Sequence, residues 1–121
     1  MARTTQKGSN LQFRQPRGHP EAEGAARLKT LMKKEGWKIY RTHGNLYQRD
    51  FPDLRCLHKL HGARWVETKS RGTDSSSGGK LSIGQAKQFA EWAEYGDHVW
   101  VLRDEKDYQW LFKEPNWWRF V

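Results

Sequence analysis

Trp65-Val66-Glu67-Thr68-Lys69, preceded by Phe51-Pro52-Asp53-Leu54, decides how the rest of this chain is read. In an extended strand, side chains at i and i+2 emerge on one face. Glu67 and Lys69 therefore stand side by side, facing solvent or a bound cation rather than the core, with Thr68 on the opposite face. A strand that begins at Asp53 and pairs with this one brings a second carboxylate to the same edge. Two carboxylates held together repel unless a cation lies between them, and hard oxygen donors select Mg²⁺ or Mn²⁺. Taken alone, Glu-x-Lys equally describes a solvated cross-strand ion pair, and Pro-Asp a turn. The weight is carried by their order and by the loop and helix that succeed them in the chain.

Working outward, Ser70 to Lys80 is rich in Gly and Ser, holds no apolar residue and predicts a mobile loop. Gly79-Lys80 does not complete a phosphate-loop motif, because Asp74 stands where its first Gly is needed and Leu81 comes directly after the Lys. Ser82 to Tyr95 predicts the strongest helix. Ser82 is the N-cap, with Gln85 in the capping-box position. Ile83, Ala86, Phe89, Ala90 and Ala93 form the apolar stripe, and Gly96 the stop. His98 to Arg103 reads as a strand that is apolar on both faces, as a covered strand is.

Upstream, Glu21 to Glu35 predicts a helix, with Ala25, Leu28 and Met32 on one face and Gly36 as its stop. Trp37 to His43 reads as a first strand and Gly44-Asn45 as a turn. Asp53 to Lys59 and Ala63 to Lys69, joined through Leu60-His61-Gly62, read as an antiparallel meander. Asp104 to Lys113 predicts a last helix, with Trp117 and Trp118 in the tail. The fold class is therefore α/β: a mixed four-stranded sheet flanked by helices in α-βββ-α-β order. Residues 1–20 contain no acid and carry Arg3, Lys7, Arg14 and Arg17, which predicts a mobile basic arm ahead of a single domain, 21–121.

This ordered set resembles the PD-(D/E)xK nuclease superfamily, and most closely its small stand-alone VRR-NUC nucleases. The elements that carry the resemblance are Glu21 on a helix, Thr42-His43-Gly44-Asn45, Pro52-Asp53-Leu54, Glu67-Thr68-Lys69, and Leu81-Ser82-Ile83-Gly84-Gln85. Together they span most of the chain. One departure is the Asp50-Phe51 that precedes Pro52, where the family often has Gly two residues before the Pro-Asp. The resemblance implies a restriction-endonuclease-like core and a Mg²⁺- or Mn²⁺-dependent endonuclease that hydrolyses DNA phosphodiester bonds. It implies structure-specific action on branched DNA such as four-way junctions, and a homodimer. The metal ligands it implies are Asp53, Glu67 and the backbone carbonyl of Thr68. Lys69 would orient or deprotonate the attacking water, and Gln85 would reach back toward that water or toward Lys69. A helix-capping role for Gln85 stands equally open. Glu21 matches the family's helical acid by its distance ahead of Gly36, with Glu23 as its competitor.

The balance of charge points the same way. With 22 Lys and Arg against 14 Asp and Glu, the net charge is +8. Such an excess suits a polyanionic partner. Arg71 and Lys80, flanking the Ser/Gly loop, and Arg14 and Arg17 of the arm are the candidate nucleic-acid contacts. A lone Cys56 cannot form an internal disulfide, which predicts a reducing, intracellular setting such as the cytoplasm. No apolar run approaches a membrane span or a signal peptide. Cys56, His58 and His61 hold three potential zinc ligands, but a structural zinc site needs four. A non-catalytic nucleic-acid-binding module is the rival from another class, since basic charge and aromatic side chains serve it equally well. A site-specific nuclease or nickase of the same fold is the rival within the class.

Overall fold

The computed structural model describes residues 20–42, 49–72 and 79–121, apart from the side chains of Pro20 and Glu21. The basic arm up to residue 19, His43 and the middle of the Ser/Gly loop lie outside the described residues. Helix α1 spans Pro20–Lys34, followed by strands β1 (Lys38–Arg41), β2 (Leu54–His58) and β3 (Gly62–Thr68), helix α2 (Ile83–Glu94) and strand β4 (Val99–Leu102). Two 3-10 segments, Glu105–Phe112 and Trp117–Phe120, close the chain. The arrangement is mixed α/β, as the hydrophobic patterns predict.

The sheet runs β1-β2-β3-β4 in chain order. The first three strands form the expected meander, antiparallel throughout, whereas β4 pairs parallel to β3. Parallel neighbours need a crossover, and α2 supplies it. Pairing sets Leu54 opposite Val66 and Thr68 opposite Leu102. The Asp53–Glu67 pair therefore falls one step past the end of the β2–β3 ladder, at the end of β3 to which α2 returns.

Strand alternation sorts the core into two layers. On one face, Leu54, Cys56, Val66 and Leu102 pack with Leu28, Met32, Trp37 and Leu111 under α1 and the first 3-10 segment. On the other, Val99 and Val101 pack with Phe89 of α2 and Leu81, ringed by Trp65, Trp92, Trp117 and Phe120. Because Val66 belongs to the α1 layer, Glu67 beside it belongs to the α2 layer. The unpaired edge of β4 is closed by a side chain. The buried Asn116 accepts from Val101 N (2.7 Å) and donates to Val101 O (3.0 Å), imitating one rung of a neighbouring strand.

The last helix expected after β4 forms as a 3-10 helix. Asp104 caps it through Lys106 N, its backbone closes i to i+3 bonds such as Asp107 N to Asp104 O (3.0 Å), and the Asp107 carboxylate is drawn to two arginines. Strand β1 is shorter than predicted at both ends. Trp37 is taken into the core, and Thr42 turns to bond the carbonyls of Pro52 and Asp53. Among the described residues no helix is long and apolar enough to cross a membrane.

Candidate active site

The end of β3 and the start of α2 gather the side chains of Glu67, Lys69 and Gln85 in one hydrogen-bonded cluster, which Asp53 joins through its backbone N. Glu67 Oε2 accepts from Lys69 Nζ at 3.0 Å and from Gln85 Nε2 at 2.9 Å. Its Oε1 accepts from the backbone N of Asp53 at 3.2 Å. Lys69 Nζ also donates to Gln85 Oε1 at 3.2 Å. Asp53 turns its Oδ2 to Thr68, accepting from the backbone N at 2.9 Å and from Oγ1 at 2.5 Å. No described residue donates to its other carboxylate oxygen.

Each position follows from local structure. Glu67 and Lys69 share a face because they are two apart on an extended chain. Asp53 is brought opposite Glu67 by the β2–β3 register. Gln85 is the N3 residue of α2, and here the two readings of it coincide. Its Oε1 accepts from Ser82 N (3.1 Å) while Ser82 Oγ accepts from Gln85 N (3.0 Å), completing the capping box, and its amide still reaches Glu67 and Lys69. Asp50 completes the setting. Its carboxylate lies where a side chain on Gly84 would stand, against the first turn of α2, where the helix dipole favours an anion.

The electrostatics are those of a buried, crowded anion. Glu67 is 2% exposed. It does not face solvent as strand alternation alone suggests, because α2 covers it. Burial, and next the charge of Asp53, push its carboxyl above the usual range, while Lys69 and Gln85 pull it back. A buried carboxylate beside a half-buried one, with one ammonium between them and solvent, is short of positive charge. Among the described residues no group of three His, Cys, Asp or Glu converges. The acidic oxygens at this spot are those of the Asp53 and Glu67 carboxylates.

The remaining candidates fall elsewhere. Glu21 sits in the first turn of α1, and its side chain is outside the described residues; Glu23 is exposed. Arg14 and Arg17 also lie outside the described residues. Arg71 is employed differently from the nucleic-acid contact expected of it. Its guanidinium forks onto Asp104 (2.6 and 2.8 Å) and reaches Asp107 (2.7 Å), so its charge is already matched within the chain. Lys80 is exposed and lines a cleft of about 290 Å³ together with Arg119, Trp110 and Phe120. The zinc alternative dissolves. Cys56 is buried, with its thiol pushed up to about 12 by that burial. His58 meets Glu35 O through Nε2 (2.9 Å) and takes Leu60 N on Nδ1 (3.0 Å), which tightens the β2–β3 turn.

No protein-family model, curated protein or solved structure matches this chain.

Sequence patterns give no sign of Lys29. It lies on α1, partly buried; burial, Arg41 and Lys33 hold its ammonium below the ordinary lysine range, and Asp53 acts against them. A lysine on the polar side of a predicted helix gives no signal of its own; only the position of Asp53 across the fold marks it.

Proposed function

We propose that this chain is a metal-dependent DNA endonuclease with a restriction-endonuclease-like core of the VRR-NUC type. The observation that carries the reading is the convergence of Asp53, Glu67, Lys69 and Gln85 at the end of β3. Separate motifs, distant in the chain, supply one acid–acid–ammonium–amide cluster, and a solvated ion pair requires neither the second acid nor the amide.

The donor set fits a hard cation. Asp53 and Glu67 offer carboxylate oxygens, the Thr68 carbonyl offers a third, and the charge deficit at Glu67 is what a divalent ion relieves. When bound, Mg²⁺ or Mn²⁺ supplies water acidification and charge stabilisation at a phosphoryl oxygen. The chain's own residues do the rest. Lys69 has three N–H donors, and Glu67 and Gln85 take two of them. The third is left for the attacking water or a phosphate oxygen. Gln85 holds both Glu67 and Lys69, so it fixes the geometry of the pair that faces substrate. Asp53 is locked by Thr68 through one oxygen, which orients the other. Water excluded by the α2 cover strengthens each of these interactions.

The compact single domain and the excess of basic charge suit recognition of DNA structure, with branched DNA or four-way junctions as substrate and a homodimer placing two such sites on it. The test is incubation with supercoiled, linear, single-stranded and four-way-junction DNA in Mg²⁺, Mn²⁺ or EDTA. The reading expects cleavage with either metal, none with EDTA, a preference for the junction, and 5′-phosphate products. Binding without cleavage in every metal would replace it with a non-catalytic nucleic-acid module.

A further inference from the structure

We propose that the groove between α1 and β1 seats the phosphate backbone of DNA and leads it to Asp53. The proposal rests on the nuclease reading and names the path by which its substrate arrives.

The groove has a volume of about 390 Å³ and is lined by Ala26, Lys29, Thr30, Lys33, Ile39 and Arg41. Lys29 and Lys33 are one turn apart on α1 and so share a face. Arg41 ends β1 and pairs in register with Leu54, the residue after Asp53. The next residue, Thr42, donates its N–H to the Asp53 carbonyl at 2.8 Å. The row of cations therefore runs from mid-helix to the candidate site, in contact with its backbone.

Among the described residues, none of these three cations has a carboxylate within ion-pair distance, so their charge stays available to an anion, as it does for most of the chain's exposed Lys and Arg; what sets these three apart is that they share one groove. The three also crowd one another. Partial burial, then the charges of Arg41 and Lys33, hold the Lys29 ammonium below the ordinary lysine range. Asp53 offsets this crowding only in part, since the Lys29 ammonium stays below its ordinary range, and an anion laid along the row relieves the rest. The other lining residues, Ala26, Thr30 and Ile39, are uncharged, so none of them repels a phosphate. Cations spread over two elements suit a chain of phosphates better than a single one.

The test measures binding of a labelled DNA duplex to the full chain in EDTA across a salt series. The variants are Lys29→Gln/Lys33→Gln/Arg41→Gln and a control, Lys34→Gln/Lys87→Gln/Lys106→Gln, which removes the same charge from exposed positions elsewhere. Each phosphate contact contributes close to 0.9 to the log–log slope, so the groove triple should flatten it by up to about 2.7 and weaken binding at least tenfold at low salt. The control should change the slope by less than one contact. Equal effects of the two triples, or no effect of either, overturn the groove. Metal-dependent cleavage by the wild type, assayed alongside, separates the two claims. Cleavage with an unchanged slope sinks the groove alone. A flattened slope with no cleavage in any metal sinks the nuclease reading and leaves the groove standing. Absence of DNA binding sinks both.

Discussion

At the scale of single residues, Glu67 shows how far a strand pattern reaches. That it shares a face with Lys69 is legible from two-residue spacing, and that Asp53 joins them is legible from the short hairpin between their strands. Its burial is not, because α2 is the element that covers it, and α2 arrives from well beyond the strand. Burial gives Glu67 a sign that can be tested. Its carboxyl is held above the usual range in the folded chain, so the folded state binds that proton more tightly than the unfolded state does. In metal-free protein, stability should therefore fall as pH rises from about 4, near the unfolded value, through the raised folded one. Glu67→Gln lacks the ionisation and should not show this loss. Thermal unfolding of both proteins in EDTA at acid and neutral pH checks it, and an identical pH dependence would contradict it. At neutral pH, Mg²⁺ should raise the melting temperature of the wild type and leave Glu67→Gln nearly unmoved, since only a ligand bound to the folded state stabilises it.

At the scale of elements, the helices and strands are legible from their apolar periods and caps, although of the stripe read on α2 Phe89 alone is buried and Ile83 and Ala90 are exposed. The capping box of Ser82 and Gln85 and the antiparallel meander stand as read. The helix expected after β4 forms as a 3-10 segment, and its Asp104 and Asp107 engage Arg71 and Arg103, partners that periodicity does not disclose. Arg71 holds the Asp104 carboxyl at about 2, below its ordinary 3.8. A depressed carboxyl stabilises above its unfolded value and loses that contribution as pH falls through about 4 toward 2. Because the Arg71 side chain is 38% exposed, solvent discounts the pair to about 1–2 kcal/mol. Asp104→Asn should lower stability by that amount at pH 7 and by almost nothing at pH 2; chemical denaturation at the two pH values measures it, and an equal cost at both would contradict the ion pair. Gly24 carries a second element-scale prediction. A β-carbon there would overlap the carbonyl oxygen of Arg103, which is backbone and cannot swing away. Gly24→Ala should therefore destabilise the fold by about 1–3 kcal/mol through displacement of α1, despite Ala's better helix propensity. A neutral or stabilising Gly24→Ala, by the same denaturation measurement, would show that α1 shifts freely.

At the scale of the whole molecule, the α-βββ-α-β order is legible from the succession of patterns, and the parallel placement of β4 against β3 follows from the α2 crossover. What no pattern discloses is the charge geography. The Lys29–Lys33–Arg41 row lies on the α1 side of the sheet and the acid cluster at the end of β3, and only the completed fold makes them neighbours. On the proposed reading, DNA would cross α1 and β1 toward Asp53 at the end of the sheet. The central claim is that this cluster cuts the phosphodiester, and the most direct measurement is Mg²⁺-dependent nicking of supercoiled DNA by the wild type beside Lys69→Met, with folding of both verified by circular dichroism. Lys69→Met keeps most of the apolar stem and removes only the ammonium, so the account predicts nicking by the wild type and a loss of at least about a hundredfold in the variant, on the scale of one electrostatic group at a reaction centre, with DNA binding retained. Equal nicking by the two proteins, or none by a folded, DNA-bound wild type in either Mg²⁺ or Mn²⁺, would contradict it.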